Sequence, residues 1–529
     1  MPQLQINQGP QDSLLYDNTR SYFTNVGYVR TSNFQLELRD VDSQNGANLG
    51  TTVQFVIPKA ADLLGPCDLM IDFNEANHTG VANTYAAWVE SVGLAMLERI
   101  TFSVGSHDVE TLTGDQLNIM NELMRSDEQR LGYNQILKTG RAPVEYQLDA
   151  AGSDASATVA LSDTGVGSRL IATGTTKHAG KSLIIPLGLF FTKHPSQYFP
   201  LAAIAGCNDV RVAVKFRTLN EIVTLGGTTT TLASNVIEAD AAIASDEIPP
   251  MPTFAGSSVF ASCKLRCHYI HVTGPEATTL MNKEHVRLLK LYQTNSKPVS
   301  ISGGSSKKAL VTMDLSFLHP VQELIITIRK ASEMTSSTTG NVTFDAVNQE
   351  ACGKNYFAYH GGGSDPNIES LDNRALNFNG DYTVAHDETA DKPFLTVSDF
   401  KLTLNGQERH PSLASSGLDR KYLMDRLMPM MHSNTSHTFA DASDTSVNSA
   451  ADFKHMSQMI DRKEIYCYPF ALNPEGSNPS GAVNFSKVSH AKLTIEGIAT
   501  GDDDYVVDVY GVYYNWLQIK DGRALTSFA

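Results

Sequence analysis

Several short stretches of the sequence combine residue types that carry out catalysis or bind phosphate in other proteins. The stretch HGGGSDP at 360–366 has the composition of an esterase oxyanion loop, but no G-x-S-x-G motif supplies a nucleophilic serine. The stretch ISGGSSKK lacks the spacing of a phosphate-binding loop. Three acids in GDDDY, at 501–505, fit a surface cation site or, more simply, a solvated strand end. The sequence therefore predicts no catalytic residue, no cofactor and no enzyme activity.

Cysteine and histidine residues offer one candidate metal site. Cys263 and Cys267 are four residues apart in FASCKLRCHYIHV, and His268 and His271 lie beside them. The segment has the pattern of a strand, which places both cysteines on one face, and no second ligand pair has zinc spacing. None of the 15 histidines forms the H-x-H pair that a bicupin metalloenzyme needs. We predict no metal site and interpret these residues as core and surface positions of a strand.

The overall composition excludes some classes of function. The chain has 529 residues, a formal net charge of −16 and no basic run, whereas direct binding of duplex nucleic acid requires clustered Lys and Arg. The first residues lack the pattern of a signal peptide, and the apolar stretches are shorter than the roughly 20 residues of a membrane span. Six scattered cysteines predict a reducing compartment rather than a disulfide framework.

Strand patterns dominate the elements that would position any site. Segments such as DVRVAVKF and ELIITIRK alternate apolar and polar residues or run β-branched, and clear helices are few. Between them lie long stretches rich in Gly, Ser, Thr and Asp, which we interpret as surface loops. The longest of these loops are 150–181, 222–256, 331–370 and 433–451.

An internal repeat organises these strands. A strand, a break and a second strand occur at 51–73 and again at 308–330, and a strand, a glycine turn and a helix occur at 99–124 and again at 399–428. A proline-spaced block followed by one more strand then completes each half. The repeat predicts an all-β fold of two tandem eight-stranded antiparallel jelly rolls, with a few short helices and long surface loops.

Each half contains one predicted helix after its glycine turn. Thr113 and Gln116 have the spacing of a capping box at the start of the first helix. Ser416 with Asp419 offers a similar start in the second half. We expect each helix to close the end of a strand layer.

The third repeated block is defined by its prolines. Proline has no N–H to donate, so within sheets it is confined to edges, strand starts and bulges. We predict that these residues lie where a strand leaves its sheet and crosses over, where their fixed φ makes the corner rigid. They are Pro186, Pro195 and Pro200 in the first half, and Pro469, Pro474 and Pro479 in the second.

The repeat also gives predicted domain boundaries. We assign an N-terminal arm to 1–24, a first jelly roll to 25–219, a linker to 220–258 and a second jelly roll to 259–529. Among the N-x-S/T sequons, Asn341 and Asn434 lie in predicted exposed loops and are the candidate glycosylation sites.

Four segments together resemble the major capsid proteins of nucleocytoplasmic large DNA viruses, the group of phycodnaviruses, iridoviruses and mimiviruses. The last of them has intact Pro479-Ser480-Gly481 and Asn484-Phe485-Ser486 elements, which are nearly a signature of that family. The four segments are YFTNVGYVRTSNFQLEL, ERITFSVGSHDVETLTGDQLNIMNEL, IPLGLFFTKHPSQYFPLAAI and YPFALNPEGSNPSGAVNFSKVSHAKL.

The resemblance implies a double jelly roll that forms homotrimers, in which three chains of two like domains make a pseudo-hexagonal capsomer of an icosahedral shell. It further implies contacts with neighbouring capsomers, with minor capsid and penton proteins and, through minor proteins, with an internal membrane, but no direct contact with nucleic acid. The expected location is the virion, with assembly in the host cytoplasm. Two alternatives remain at this stage, a glycan-binding or glycan-cleaving double sandwich and a minor capsid component.

Overall fold

A computed structural model of the chain provides the architecture. Residues 1–32, which include the predicted N-terminal arm, lie outside the residues that it describes. Short pieces are described between 133 and 177 and between 344 and 359. Apart from short gaps, the remaining described ranges are 33–77, 84–125, 182–227, 251–331, 396–408, 423–432, 465–499 and 504–528.

Strands make up most of the described residues. Those of the first half are β1 (Phe34–Asp42), β2 (Thr52–Ile57), β3 (Leu63–Phe73), β4 (Ala76–Asn77), β5 (Thr84–Trp88), β6 (Leu97–Val104), β7 (His107–Leu112), β8 (Val144–Gln147), β9 (Thr158–Leu161), β10 (Leu170–Thr173), β11 (Thr176–Lys177), β12 (Ser182–Pro186), β13 (Phe199–Pro200), β14 (Val210–Phe216), β15 (Val223–Gly227), β16 (Thr253–Phe254) and β17 (Phe260–Val272). Those of the second half are β18 (His285–Ser300), β19 (Lys307–Asp314), β20 (Pro320–Lys330), β21 (Phe344–Asp345), β22 (Glu350–Ala351), β23 (Thr396–Leu404), β24 (Gln407–Glu408), β25 (Tyr466–Pro469), β26 (Val483–Asn484), β27 (Ala491–Ala499), β28 (Asp504–Lys520) and β29 (Arg523–Thr526).

The described helices are short. The α-helices are α1 (Val92–Ala95), α2 (Gly114–Met124), α3 (Leu219–Ile222), α4 (Pro275–Asn282) and α5 (Met428–Met431). The 3₁₀ turns are Phe190–Thr192, Pro195–Gln197, Leu201–Ala203 and Phe485–Lys487.

The two halves have the same sheet topology. In the first half, one sheet has the strand order β1-β17-β3-β12 and the facing sheet has the order β2-β14-β6-β7. In the second half, the corresponding orders are β18-β28-β20-β25 and β19-β27-β23-β24. Each half thus contributes eight strands to two antiparallel four-stranded layers, which confirms the predicted pair of jelly rolls.

Alternation of side chains builds the core between the two layers of each jelly roll. Along β14, residues Val210, Val212, Val214 and Phe216 are buried and the residues between them are partly exposed. The strand reads VRVAVKF because only one of its faces packs against the other sheet. The prediction of strands from this alternation is therefore confirmed for β14.

The predicted domain boundary is wrong at one strand. The segment Phe260–Val272 was placed at the start of the second jelly roll, but β17 pairs antiparallel with both β1 and β3 in the first. Its pattern identifies a strand correctly, but the partners are about 190–230 residues away in sequence, where local pattern gives no information. The first jelly roll extends to β17, and the chain enters the second through α4.

Two predicted connections also contain regular structure. The short strands β10 and β11 lie within the predicted loop at 150–181, and β15 lies within the predicted linker at 220–258. Together with β5 they form a small four-stranded sheet of order β11-β10-β5-β15. Part of the linker, at 228–250, lies outside the described residues.

The predicted helix of the first half is confirmed with its cap. Helix α2 begins after Thr113, whose side chain accepts a hydrogen bond from the Gln116 N–H, while the Gln116 side chain accepts one from the Thr113 N–H. This reciprocal pair satisfies two N–H groups at the helix start. Ser416 and Asp419, the predicted start in the second half, lie outside the described residues.

Candidate functional site: the proline connections and the junction between the jelly rolls

The first proline connection joins β12 to β14. Pro186 ends β12, an edge strand of its sheet, and the next residue, Leu187, donates its N–H to the Cys67 carbonyl. Pro195 is the first residue of a 3₁₀ turn, and Pro200 belongs to β13, which returns to pair with β3. All three prolines therefore lie where the chain leaves one sheet and crosses to the other, at positions that need no N–H.

The second proline connection repeats this path. Pro469 ends β25, also an edge strand, and β26 later returns to pair with β20 before a 3₁₀ turn leads into β27. Between these strands the Pro474 carbonyl accepts hydrogen bonds from Lys290 and Gln322 at 2.6 and 3.2 Å. Pro479 precedes Ser480 in the same connection. Pro186 and Pro469 thus occupy matching places at the ends of β12 and β25, whereas Pro200 lies within β13 and Pro479 precedes β26.

Gly481, two residues after Pro479, allows a close backbone approach within the second connection. Gly481 has φ of +138°, a conformation that residues with a side chain rarely adopt. A Cβ atom at this position would lie 2.8 Å from the Phe470 carbonyl oxygen. The Pro-Ser-Gly element therefore brings the two ends of the connection into backbone contact.

The two jelly rolls are in contact at a surface that we call the junction. At its centre the Arg329 guanidinium of β20 forms ion pairs with Asp115 of α2, at 3.0 Å, and with Asp508 of β28. It also donates to the Tyr356 carbonyl at 2.9 Å. The Arg329 and Asp508 side chains are 3% and 6% exposed, so this cluster is buried between the first and second halves of the chain.

Further hydrogen bonds link the two halves at the junction. The Gln116 side chain donates to Thr294 of β18, and the Ser196 carbonyl accepts from Arg287 at 2.7 Å. At the end of the sheet, Asn208 donates to the Gly522 carbonyl at 2.8 Å. Helix α2 and the first proline connection thus contact one sheet face of the second jelly roll.

Buried carboxylates lie near the junction. Glu110 of β7 is buried and accepts the Phe190 N–H at 2.8 Å. Burial raises the pKa of Glu110 to about 7, although Lys193 and the Phe190 N–H act in the opposite direction. This carboxyl therefore changes its charge near neutral pH.

A second buried carboxylate has a charged partner. Glu323 of β20 accepts a hydrogen bond from His432 at 3.0 Å, and the other ring nitrogen of His432 lies 3.3 Å from Glu475. Burial alone would lower the pKa of His432, but Cys467 and the two carboxylates hold that pKa well above its ordinary value. The His432 ring therefore lies between the side chains of Glu323 and Glu475.

The candidate metal ligands are not brought together. Cys263 and Cys267 are both buried on the inner face of β17, as predicted, and the Cys267 sulfur lies 3.8 Å from that of Cys67. His268 and His271 instead pair with carboxylates of neighbouring strands. Among the described residues, no three His, Cys, Asp or Glu side chains are grouped closely enough to hold a metal ion.

The remaining sequence candidates cannot be placed. Asn341, Asn434 and the stretch at 360–366 lie outside the described residues, and of GDDDY only the last two residues, which begin β28, are described. Within the part of the chain that the structure describes, no helix combines the length and the apolar character needed to cross a membrane.

Sequence reasoning missed the charged residues of the junction. The signal was present in ELIITIRK and DYVVDVYGVYY, where buried charges interrupt long apolar runs, Glu323 and Arg329 in the first and Asp508 in the second. Strands that are apolar on both faces are typically covered on both sides. A charge within such a strand indicates a buried partner, which Arg329 and Asp508 supply for each other.

Comparison with known proteins agrees with the resemblance seen in the sequence. The family model described as "Major capsid protein N-terminus" matches residues 21–255. A major capsid protein of Phaeocystis pouchetii virus is 23% identical over 557 residues, covering 98% of this chain and 97% of the relative. One of Pyramimonas orientalis virus is 22% identical over 519 residues, covering 98% and 96%.

Solved structures share the fold. A chain of the PBCV-1 virus capsid is 16% identical with a TM-score of 0.59, covering 96% of this chain and 100% of that chain. The Faustovirus major capsid protein is 12% identical with a TM-score of 0.60, covering 95% and 93%. The resemblance of this chain to the major capsid proteins of large DNA viruses is therefore confirmed.

Proposed function

We propose that this chain, a relative of the major capsid proteins of large DNA viruses, is itself a structural major capsid protein. In this proposal it self-assembles into pseudo-hexagonal homotrimeric capsomers that tile an icosahedral shell. The observation that carries the proposal is the identical strand order of the two jelly rolls. Three chains with two like domains each give six similar sides, so one gene product tiles a plane.

The junction supports this role. A capsomer with six similar sides needs the two jelly rolls of each chain at a fixed mutual orientation. The buried ion pairs of Arg329 with Asp115 and Asp508 hold α2 of the first half against two strands of the second. Sliding of one jelly roll over the other would leave Arg329 or an aspartate buried without its partner, and the free-energy cost of that state opposes the motion.

The finer assignments follow from this role. The arm at 1–24 faces inward, toward minor capsid proteins or an internal membrane. The long loops at 150–181, 331–370 and 433–451 lie on the outward-facing end of the trimer. Penton proteins and neighbouring capsomers are the other partners, in the virion after assembly in the host cytoplasm. The role is structural and not enzymatic, and the net charge of −16 fits a shell that does not bind the genome directly.

Purified full-length protein tests the proposal. We expect light scattering coupled to size-exclusion chromatography to give three times the chain mass of 57.5 kDa, and negative-stain images to show particles with a hexagonal outline. Monomers whose melting temperature rises with added glycans would instead favour a glycan-binding double sandwich.

A truncation tests the arm separately. Deletion of residues 1–24 is expected to leave the trimer intact and to impair assembly of the shell. Loss of the trimer in this variant would show that the assignment of the arm is wrong.

A further inference from the structure

The junction covers a sheet face of the second jelly roll whose counterpart in the first is partly uncovered. Along β20, the outward residues Glu323, Thr327 and Arg329 are buried, as are the inward ones. The counterpart strand is β3, whose burial alternates, so that its outward residues Asp68 and Asp72 remain partly or fully exposed. At Asp68 and Asp72 the first jelly roll is therefore open where the second is covered, whereas Ile270 and Val272 of β17, farther along the same face, are buried.

Three large apolar side chains lie at the edge of this open face. Phe34, Leu36 and Leu38 occupy alternate positions of β1 and are 57%, 55% and 57% exposed. Leu38 lies opposite His268, the neighbour of the inward Cys267, so the three residues point outward. We call them the β1 stripe. An exposed edge strand with an apolar stripe is a typical surface for association with another chain.

The junction indicates what covers such a stripe. Within the chain, the connection after β12 contacts the start of β18, where the Ser196 carbonyl binds Arg287. In the repeated topology, β18 corresponds to β1, and the connection after β25 corresponds to that after β12. This second connection carries Leu472, which is 83% exposed. Both surfaces needed for a second contact of the same kind are thus present and unpaired within the described part of the chain.

We propose that the β1 stripe of one chain packs against the Leu472 connection of a second copy of this chain. The contact between chains then repeats the junction within each chain. This inference rests on the proposed trimer and names its surface. A contact between two different patches is heterologous and closes into a ring when the rotations add up to a full turn. With two jelly rolls per chain, three chains give six contacts of one kind.

Charges beside the stripe are compatible with its burial. Asp40 forms an ion pair with Arg266 at 2.7 Å, and Asp42 lies 3.4 Å from Lys264. Asp40 and Asp42, two of the charges beside the stripe, therefore have cationic partners on the same sheet.

The test replaces two leucines of the stripe in the full-length protein. The variant Leu36→Glu/Leu38→Glu is expected to associate at least about 100-fold more weakly than the wild type, because two leucine side chains lose their apolar contacts. Leu472→Glu should weaken association in the same direction. The matched control is Leu310→Glu on the other sheet layer, at a leucine 63% exposed, which is expected to leave the trimer unchanged. Light scattering over a dilution series gives the oligomeric state, and thermal melting reports folding.

The outcomes separate this inference from the proposed function. A wild-type protein that is monomeric at every concentration would overturn the trimer itself. A wild-type trimer that survives Leu36→Glu/Leu38→Glu would overturn only the assigned surface. If the double variant unfolds at a lower temperature while its association is unchanged, the stripe packs within its own chain and the assigned surface is wrong. We expect both the stripe variant and the Leu472 variant to associate more weakly while melting at the same temperature as the Leu310→Glu control.

Discussion

Removal of the Arg329 charge is expected to destabilise the junction strongly. In Arg329→Met, Asp508 and Asp115 keep their carboxylates, which are 6% and 16% exposed, without the guanidinium that neutralises them. Breaking a buried ion pair from one side costs about 3–5 kcal/mol, because the remaining charge has lost both water and partner. The ordered Tyr356 carbonyl also loses its donor.

The assay can report each jelly roll separately. The chain has two tryptophans, Trp88 in the first half and Trp516 in the second. Variants that retain one of them, unfolded in guanidinium, give the free energy of unfolding from either side of the junction. We expect the midpoint reported by Trp516 to fall in Arg329→Met.

Two companion variants make the reasoning refutable. Arg211→Met removes a guanidinium paired with Asp209 at 2.8 Å, but these side chains are 41% and 48% exposed, so the loss should stay below about 1 kcal/mol. Adding Asp115→Asn and Asp508→Asn to Arg329→Met removes every charge and should recover most of the lost stability. If Arg329→Met costs no more than Arg211→Met, the buried charge cluster does not stabilise the junction.

Three further predictions concern local features. Gly481→Ala is expected to lower the free energy of unfolding by roughly 1–3 kcal/mol, because φ is +138° and the new Cβ meets the Phe470 carbonyl; Gly46→Ala, with open space around it, is the control in the same thermal melts. Thr113→Ala should cost about 1 kcal/mol through loss of the α2 capping box, and circular dichroism melts showing no change would contradict that role. Glu110→Gln tests the carboxyl whose pKa is raised to about 7 in the folded chain. Because the unfolded chain loses this proton at lower pH, the free energy of unfolding falls as the pH rises from about 4.5 to above 7. The total decrease is roughly 3 kcal/mol at most. The Gln variant should therefore be the more stable protein at pH 8 and equal to the wild type near pH 4, and identical pH profiles of the two unfolding free energies would contradict the assignment.

Much of the fold was predictable because it is written in local patterns. Alternation along segments such as 210–216 identifies strands, and the proline blocks identify the two crossings from one sheet to the other. The repeat of these patterns in one order identifies the duplication. The capping box at Thr113 likewise depends only on neighbours in sequence.

Pairing partners and interfaces were less accessible, because they depend on residues far apart in the chain. β17 was recognised as a strand but assigned to the wrong jelly roll, since nothing within it specifies β1 and β3 as neighbours. The junction was missed because Asp115 and Arg329 are 214 positions apart. Runs that are apolar on both faces indicate a sheet covered on both sides, and a charge inside such a run indicates a buried polar contact.

The central place of β17 sets an order of events during synthesis. A nascent chain that ends at residue 219 contains seven of the eight strands of the first jelly roll. The strand between β1 and β3 is still missing, and in the finished sheet these two strands are about 10 Å apart, twice the normal spacing. Strand β17 can pair with β1 and β3 only after Val272 has left the ribosome. Completion of the first jelly roll therefore requires synthesis to reach Val272, just before β18 begins the second at His285.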